Sequence, residues 1–294
     1  MRVFNALTAE PWAIMPSSLQ TMVAILQRHN MPDATKEAPE YAKRDLELMA
    51  GPGAQRLAGT SRTFLIDGVA VLPITGPIFP RANMMTEYSG ATSISMLTDD
   101  YRRALASEEV GAILLMIDSP GGAVSGISAF ADIVAAGAKK KSTTAFVAGT
   151  AASAAYWIAA SAKEIVIDDT GIVGSIGVVV AMPKQVEPDA NGELWVEIVS
   201  TNAPNKRVDP TSEEGHAEIV STLDALEKIF IGSVAKGRGT TAAKVKSDFG
   251  AGGVRVGADA VSIGMADRVS TYDATLTALR KQAANTKKLA ALKR

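Results

Sequence analysis

Apolar and polar positions change their spacing along this chain, and the changes predict alternating strands and helices. The uninterrupted apolar run Ala112–Ile117 predicts a strand buried on both faces, and Thr143–Val147 and Glu164–Ile167 predict further short strands. Apolar residues three and four positions apart predict helices near Ile94–Ser107 and Ser125–Ala138. The alternation predicts an α/β fold with largely parallel strands.

Turn and capping signals add a hairpin and a long helix. Asp67-Gly68 separates the apolar segments Phe64–Ile66 and Val69–Ile74, as in a hairpin with a two-residue loop. Thr211–Glu214 has the Ser/Thr-x-x-Glu spacing of a capping box and predicts the start of a long amphipathic helix. We predict a glycine-rich turn at Gly171–Gly177.

The same patterns divide the chain into three parts. Residues 1–60 contain a helical pattern that ends near His29, followed by several prolines, which predicts an appended helical arm and a linker. Residues 61–275 carry the α/β pattern. Residues 276–294 contain basic residues and no acid, which predicts a solvated helical tail or, alternatively, a docking element for an acidic partner.

Composition narrows the chemistry of the chain. Its 294 residues are 47% hydrophobic and 21% charged, as in soluble globular proteins. A net charge of −1 gives no overall attraction for nucleic acid or anionic membranes. The lack of cysteine excludes disulfides and thiolate sites. The presence of only two histidines in the chain argues against a metal site built from histidines. With no apolar run of about 18 residues, we expect a soluble cytoplasmic protein without metal or cofactor.

One serine stands at the start of a predicted helix of small residues. Gly149–Trp157 places Ser153 there, downstream of the glycine-rich sequence Asp118–Gly122. Interpreted structurally, the serine is a helix N-cap or a small packing residue, and the glycines form an ordinary strand-to-helix turn. Interpreted chemically, the serine is a nucleophile, and the amides of Ala154 and Gly122 are donors to an oxyanion.

A serine nucleophile needs a base to remove its proton. His29 lies in the predicted arm and His216 lies among glutamates on the predicted long helix, so a Ser-His-Asp site is poorly supported. A lysine acts as a base only when neutral, and lowering its reference pKa of about 10.4 by roughly three units disfavours the charge by about 4 kcal/mol. Lys206 is the candidate base and Ser175 the hydroxyl that would hold it, although the polar surroundings of Lys206 also suit an ordinary surface lysine.

In combination and in order, these residues resemble the signal-peptide-peptidase type of serine proteases, serine peptidase family 49. The resemblance runs from about Phe64 to Thr271. Each of its motifs is weak alone, and together they are specific. The motifs are Ile117–Gly122, Ala151–Ser153 with Tyr156-Trp157, Gly174–Val178, Gly257–Ala260 and Ile263–Asp267.

The resemblance implies a role for each candidate residue. Ser153 would be the nucleophile, Lys206 the general base and Ser175 the group that orients the lysine. The backbone amides of Gly122 and Ala154 would form the oxyanion hole. The family also implies a crotonase/Clp-protease-like fold and an ATP-independent endopeptidase that needs no metal or nucleotide and acts as a homo-oligomer.

Within that family, the start Ala9–Ile14 and the soluble layout look closer to the phage and prophage branch, which resembles head-maturation proteases. The implied substrates are peptides or proteins such as scaffold, capsid or portal proteins, in the bacterial host cytoplasm or the prohead interior. Three alternatives stay open. They are a host cytoplasmic signal-peptide-peptidase-like peptidase, a non-catalytic assembly protein on the same fold, and a crotonase-type acyl-CoA enzyme.

Overall fold

The structure is a computed structural model, and it describes residues 11–18, 46–83, 86, 90–182 and 198–291. Most of the helix that the sequence predicts up to His29 lies outside these ranges. Within them, no helix combines the length and the apolar character that a membrane crossing requires.

Two sheets organise the described residues. In the larger sheet the strands follow the order β12-β11-β9-β7-β4-β3-β2, with β10 and β13 attached beside β9, and the smaller sheet has the order β1-β8-β5-β6. The strands are β1 Trp12–Ile14, β2 Gln55–Arg56, β3 Phe64–Ile66, β4 Val69–Thr75, β5 Ile78–Phe79, β6 Thr92–Ser93, β7 Ala112–Ser119, β8 Gly121–Ala123, β9 Thr143–Ala152, β10 Glu164–Ile167, β11 Ile172–Gly174, β12 Val254–Val256 and β13 Arg268–Val269.

Helices follow or separate these strands, and the predicted mixed α/β fold is confirmed. The central strands β4, β7 and β9 run parallel, as do β10 and β11 beside β9. The predicted hairpin around Asp67-Gly68 is present as the antiparallel pair β3 and β4. The helices are α1 Ile94–Ala106, α2 Ile127–Gly137, α3 Ala154–Ala160, α4 Glu213–Gly237, α5 Ala242–Asp248, α6 Gly257–Ser262 and α7 Tyr272–Ala291.

Two local predictions are wrong in detail. The predicted glycine-rich turn contains the strand β11, because residues 172–174 pair with the end of β9. The capping box does not form, because Ser212 is the N-cap of α4 and its hydroxyl accepts a hydrogen bond from Gly215 N–H at 3.0 Å. The cap therefore begins one residue later than the predicted start at Thr211, and glycine occupies the position where a capping box needs Glu or Gln.

Apolar side chains cover both faces of the large sheet. On one face, α3 is buried along its whole length, and its Trp157 stacks on Phe230 of α4 with ring centroids 4.5 Å apart. On the other face, α7 packs Leu276, Leu279 and Ala283 against the sheet. The segment predicted as a basic tail thus begins inside a helix whose apolar side belongs to the core.

The segment predicted as an appended arm also contributes to the sheets. Trp12–Ile14 forms β1, and all three side chains are buried. Gln55-Arg56 pairs with β3, and Ala50 lies in the core beneath α7. The described parts of residues 1–60 therefore pack as integral parts of the α/β body.

An ion pair between Arg238 and Asp267 joins the end of α4 to the sheet. Substitution of the carboxylate in Asp267→Asn is expected to lower the free energy of unfolding by about 1–2 kcal/mol at neutral pH. Asp267 accepts hydrogen bonds from the Arg238 guanidinium at 2.7 and 3.0 Å and from Ile165 N–H at 2.7 Å. Partial burial opposes the ionised carboxylate, but these donors outweigh it and hold the pKa of Asp267 below its ordinary value.

The sign of this effect fixes its pH dependence. A carboxylate with a lowered pKa stabilises the fold above its ordinary pKa of about 3.9, and the contribution is lost as the pH falls through the lowered value. Urea unfolding should therefore show a difference between wild type and Asp267→Asn that shrinks in acid. The exposed Asp224 offers a matched control as Asp224→Asn. A difference for Asp267→Asn that is equal at neutral and acid pH would contradict this account.

Candidate active site

The Ser153 backbone adopts a conformation that few residues other than glycine adopt. Ser153 joins β9 to α3 with φ 55° and ψ −118°. Such a conformation costs on the order of 1–3 kcal/mol and persists where the surroundings impose it. Here Ser153 N–H donates to the Gly174 carbonyl at 2.7 Å, and Trp157 N–H donates to the Ser153 carbonyl at 2.9 Å. Contacts to a neighbouring strand and to α3 therefore hold the strained residue.

The Ser153 side chain is fully buried and makes no hydrogen bond within the described residues. It does not cap α3, which argues against the N-cap interpretation. An unsatisfied buried hydroxyl costs about 1–3 kcal/mol. A strained backbone that carries such a hydroxyl is typical of a functional position rather than of a packing residue.

A second backbone approaches Ser153 at Gly121, which the sequence analysis did not single out. Gly121 has φ +101°, and a Cβ there would lie 3.0 Å from both the Ala152 carbonyl oxygen and the Ser153 Cβ. The same Cβ would overlap the carbonyl oxygen of Ala13. Glycine is therefore required by conformation and by space, and the glycine-rich sequence after β7 runs directly beside the serine.

Two side chains fix the course of this glycine-rich sequence. The Ser119 hydroxyl donates to the Gly76 carbonyl at 2.6 Å and accepts from Gly121 N–H at 3.2 Å. The Asp118 carboxylate accepts from Thr150 N–H at 3.0 Å. These bonds tie the end of β7 to both neighbouring chain segments and so position Gly121 against Ser153.

Gly122, the candidate oxyanion donor, is paired with the N-terminal strand in this conformation. Strands β1 and β8 are antiparallel, with Ala13 opposite Gly122. Two residues away, Met15 N–H donates to the Pro120 carbonyl at 2.9 Å. Because hydrogen-bonded pairs alternate along an antiparallel ladder, Ala13 and Gly122 exchange both of their backbone bonds. The Gly122 amide therefore faces the Ala13 carbonyl.

The structure brings Ser175 close to Ser153 through their strands. Gly174, the last residue of β11, lies opposite Ala152 and accepts the Ser153 N–H. Ser175 follows at once, with φ 53° and an exposed fraction of 8%. Both serines therefore leave the carboxyl ends of adjacent parallel strands at the same edge of the sheet. Ala154 stands beside them as the first residue of α3 and is fully buried.

Lys206 is not brought to Ser153 in this conformation. It ends a short 3-10 helix, Pro204–Lys206, and its side chain is exposed. Within the described residues its amine makes no hydrogen bond or ion pair, whereas its backbone N–H donates to Ala203 at 3.1 Å. The role of Lys206 as a base therefore stays a prediction. His216 is also exposed, on the first turn of α4.

The described residues offer no ligand set for a metal ion. Across these ranges, no three His, Asp or Glu side chains are grouped as metal ligands. What sequence reasoning missed is β1, whose three residues are too few to show a periodic pattern, and Gly121, whose proximity to Ser153 depends on the pairing of distant strands.

Comparison with known proteins identifies a family for the chain. The sequence model of the family described as peptidase family S49 matches residues 135–286, just over half of the chain. The chain is 28% identical to the head-tail preconnector protein GP5 of Enterobacteria phage P21 over 236 residues, which are 79% of this chain and 46% of that protein. It is also 28% identical to capsid assembly protease C of Escherichia phage lambda over 257 residues, 85% of this chain and 58% of that protein.

Similarity extends to cellular proteases. Protease 4 of Haemophilus influenzae is 28% identical over 217 residues, 70% of this chain and 33% of that protein. Among solved structures, a mutant of the 1510-N membrane-bound stomatin-specific protease has 16% identity and a TM-score of 0.41, covering 70% of this chain and 82% of that chain. The chain spans about half the length of the phage relatives that it matches. With the family match across more than half of its residues, the chain belongs to peptidase family S49.

Proposed function

We propose that this chain is an ATP-independent serine endopeptidase in which Ser153 attacks the scissile carbonyl and Lys206 accepts its proton. The observation that carries the proposal is the junction between β9 and α3, where a strained backbone beside Gly121 holds a buried hydroxyl that has no hydrogen-bond partner among the described residues. A serine that only packs or caps a helix needs none of these features.

The proposed chemistry follows from the neighbours of Ser153. As its Oγ bonds to the carbonyl carbon, its proton passes to the Lys206 amine and the carbonyl oxygen becomes an oxyanion. The amides of Gly122 and Ala154 would donate to that oxygen, which stabilises the charge more than the neutral carbonyl. The lysine then returns the proton to the leaving amine as the peptide bond breaks. Water hydrolyses the acyl-enzyme by the same proton transfers.

The proposal requires a movement of the Lys206 segment. A lysine amine is neutral near pH 7 only where burial disfavours its charge, whereas Lys206 is exposed in this conformation. Catalytic contacts often tighten only when substrate is present. We therefore assign to residues 198–210 a closure over the bound peptide that buries the amine, with the Ser175 hydroxyl as the group that holds it.

Phage capsid assembly is the proposed setting. The relatives named for head-tail preconnection and capsid assembly align over 79% and 85% of this chain. On that basis the substrates would be scaffold, capsid or portal proteins. The enzyme would act as a homo-oligomer in the host cytoplasm or the prohead interior.

Two measurements test the nucleophile and the substrate separately. A fluorophosphonate should label the purified protein once, and mass spectrometry of the digest should place the label on the peptide that contains Ser153. Co-expression with candidate capsid and scaffold proteins should give discrete cleavage products. A label on a different serine would overturn the assignment of the nucleophile, and labelling at Ser153 without cleavage of any assembly protein would overturn the phage substrate.

Similarity to Protease 4 favours one second candidate, a host peptidase that acts on signal-peptide remnants or other peptides. The same active enzyme would then cleave signal peptides and leave capsid and scaffold proteins intact. Both substrate classes should be offered to one preparation, so that a single labelled enzyme decides between them.

A further inference from the structure

Strand β1 lies in a slot with backbone on both of its edges. On one edge it pairs antiparallel with β8 along Gly121–Ala123. On the other edge Trp12 N–H donates to the Val179 carbonyl at 2.7 Å, and Val179 N–H donates to the Trp12 carbonyl at 2.8 Å. An extended segment of the chain thus fills a gap that two separate backbones line with hydrogen-bonding groups.

This slot adjoins the candidate nucleophile. One wall begins at Gly121, where an added Cβ would lie 3.0 Å from the Ser153 Cβ and would overlap the Ala13 carbonyl oxygen. The other wall follows Ser175, only four residues before Val179. The Ala13 carbonyl also faces the Gly122 amide, which the proposed mechanism needs for the oxyanion.

The side chains of β1 fit the slot in an alternating way. Trp12 and Ile14 point to one side, where they form a small cluster with Phe79, Ala91 and Ala123. The Trp12 ring meets Phe79 edge to face, with centroids 5.9 Å apart. Ala13 points to the other side and joins the main core, with no exposed surface. The slot therefore accepts a bulky apolar residue, a small residue and a second bulky apolar residue in succession.

We infer that residues 11–15 are an intramolecular occupant of the peptide-binding slot and exclude substrate until they are displaced. An extended substrate gains its main-chain hydrogen bonds by adding a strand to exposed backbone, and here β1 already takes those bonds. This inference rests on the proposed function, because it treats the slot as the one that serves Ser153. A competing segment would carry the same bulky-small-bulky apolar pattern.

A disulfide lock tests the inference directly, since the natural chain has no cysteine. Trp12 and Val179 exchange two backbone bonds, and such pairs have Cα atoms about 5.5 Å apart, within the range a disulfide spans. In Trp12→Cys/Val179→Cys, oxidation should lower cleavage of a protein substrate at least tenfold, and reduction should restore it. Each single-cysteine variant serves as the control. Equal cleavage by the oxidised and reduced forms would overturn the inference.

A binding measurement tests the occupancy of the slot without relying on catalysis. In a Ser153→Ala background, Ala13→Pro removes the N–H that bonds to Gly122 and should release β1, whereas Ala13→Ser keeps that N–H. A fluorescent peptide with the sequence of residues 10–16 should bind the proline variant at least tenfold more tightly than the serine variant, as measured by anisotropy.

The outcomes distinguish occupancy of the slot by residues 11–15 from catalysis by Ser153. Equal affinity for both variants, or no binding to a folded proline variant, overturns the occupancy of the slot even if Ser153 is the nucleophile. Peptide binding to the proline variant, together with a failure of Ala13→Pro with Ser153 intact to cleave or to be labelled, overturns the proposed catalysis and leaves the occupancy standing. If the proline variant does not fold, the disulfide lock still decides.

Discussion

Ser153→Ala is expected to reduce the rate of substrate cleavage by at least about 10⁴-fold, since removal of a serine nucleophile lowers kcat by roughly 10⁶ in a well-studied serine protease. The reason is chemical, because alanine has no hydroxyl with which to form the acyl-enzyme. The measurement is the appearance of cleavage products with time, by gel and mass spectrometry, at equal concentrations of folded wild type and variant.

The free energy of unfolding of Ser153→Ala should not fall together with its activity. The Ser153 hydroxyl is buried and has no hydrogen-bond partner in the part of the chain that the structure describes. Its removal is therefore expected to leave the free energy of unfolding unchanged or to raise it by about 1 kcal/mol. Ser161 provides a matched control, because its buried hydroxyl donates to the Ile158 carbonyl at 2.6 Å. Ser161→Ala should lose about 1 kcal/mol of stability and keep its activity. A Ser153→Ala variant that still cleaves would remove the basis of the proposed mechanism.

Local signals explain why much of the fold could be predicted from sequence. The apolar run of β7 and the Asp67-Gly68 hairpin depend on residues close together in the chain, and both appear in the structure. Membership of peptidase family S49, which the motifs around Ser153 suggested, is shown by the family match. The apolar spacing of Leu276, Leu279 and Ala283 was also present in the sequence, but the basic composition around it suggested a solvated tail.

Long-range pairing explains what could not be predicted at the site. Trp12–Ile14 becomes a strand only because it meets Gly121–Ala123, more than a hundred positions away, and Val179. The strained φ of Ser153 is imposed by Gly174 from another strand. The residue propensities within a short stretch of sequence carry no information about either of these contacts. Ser153 could be singled out from its motif, whereas its conformation and the occupied slot beside it required the assembled sheets.

Lys206→Met should lower cleavage by at least about 10³-fold, because methionine keeps much of the length of the side chain and cannot accept a proton. General acid–base catalysis alone contributes about 10²–10⁴-fold, and a serine without its base is a weak nucleophile. Since Lys206 is exposed, the free energy of unfolding should stay within about 0.5 kcal/mol of wild type. The exposed Lys246 supplies the control, because Lys246→Met makes the same change of charge on α5 and should keep full activity.

Two further results would distinguish a base from a lysine that only contacts substrate. Lys206→Arg should not restore cleavage, because a guanidinium stays protonated and cannot act as a base, whereas a charge contact would tolerate it. Combined with Ser153→Ala, the lysine variant should add almost no further loss, because residues that act as one unit are not additive. Additive losses would make Lys206 independent of Ser153, and the base would then have to be sought elsewhere in the chain.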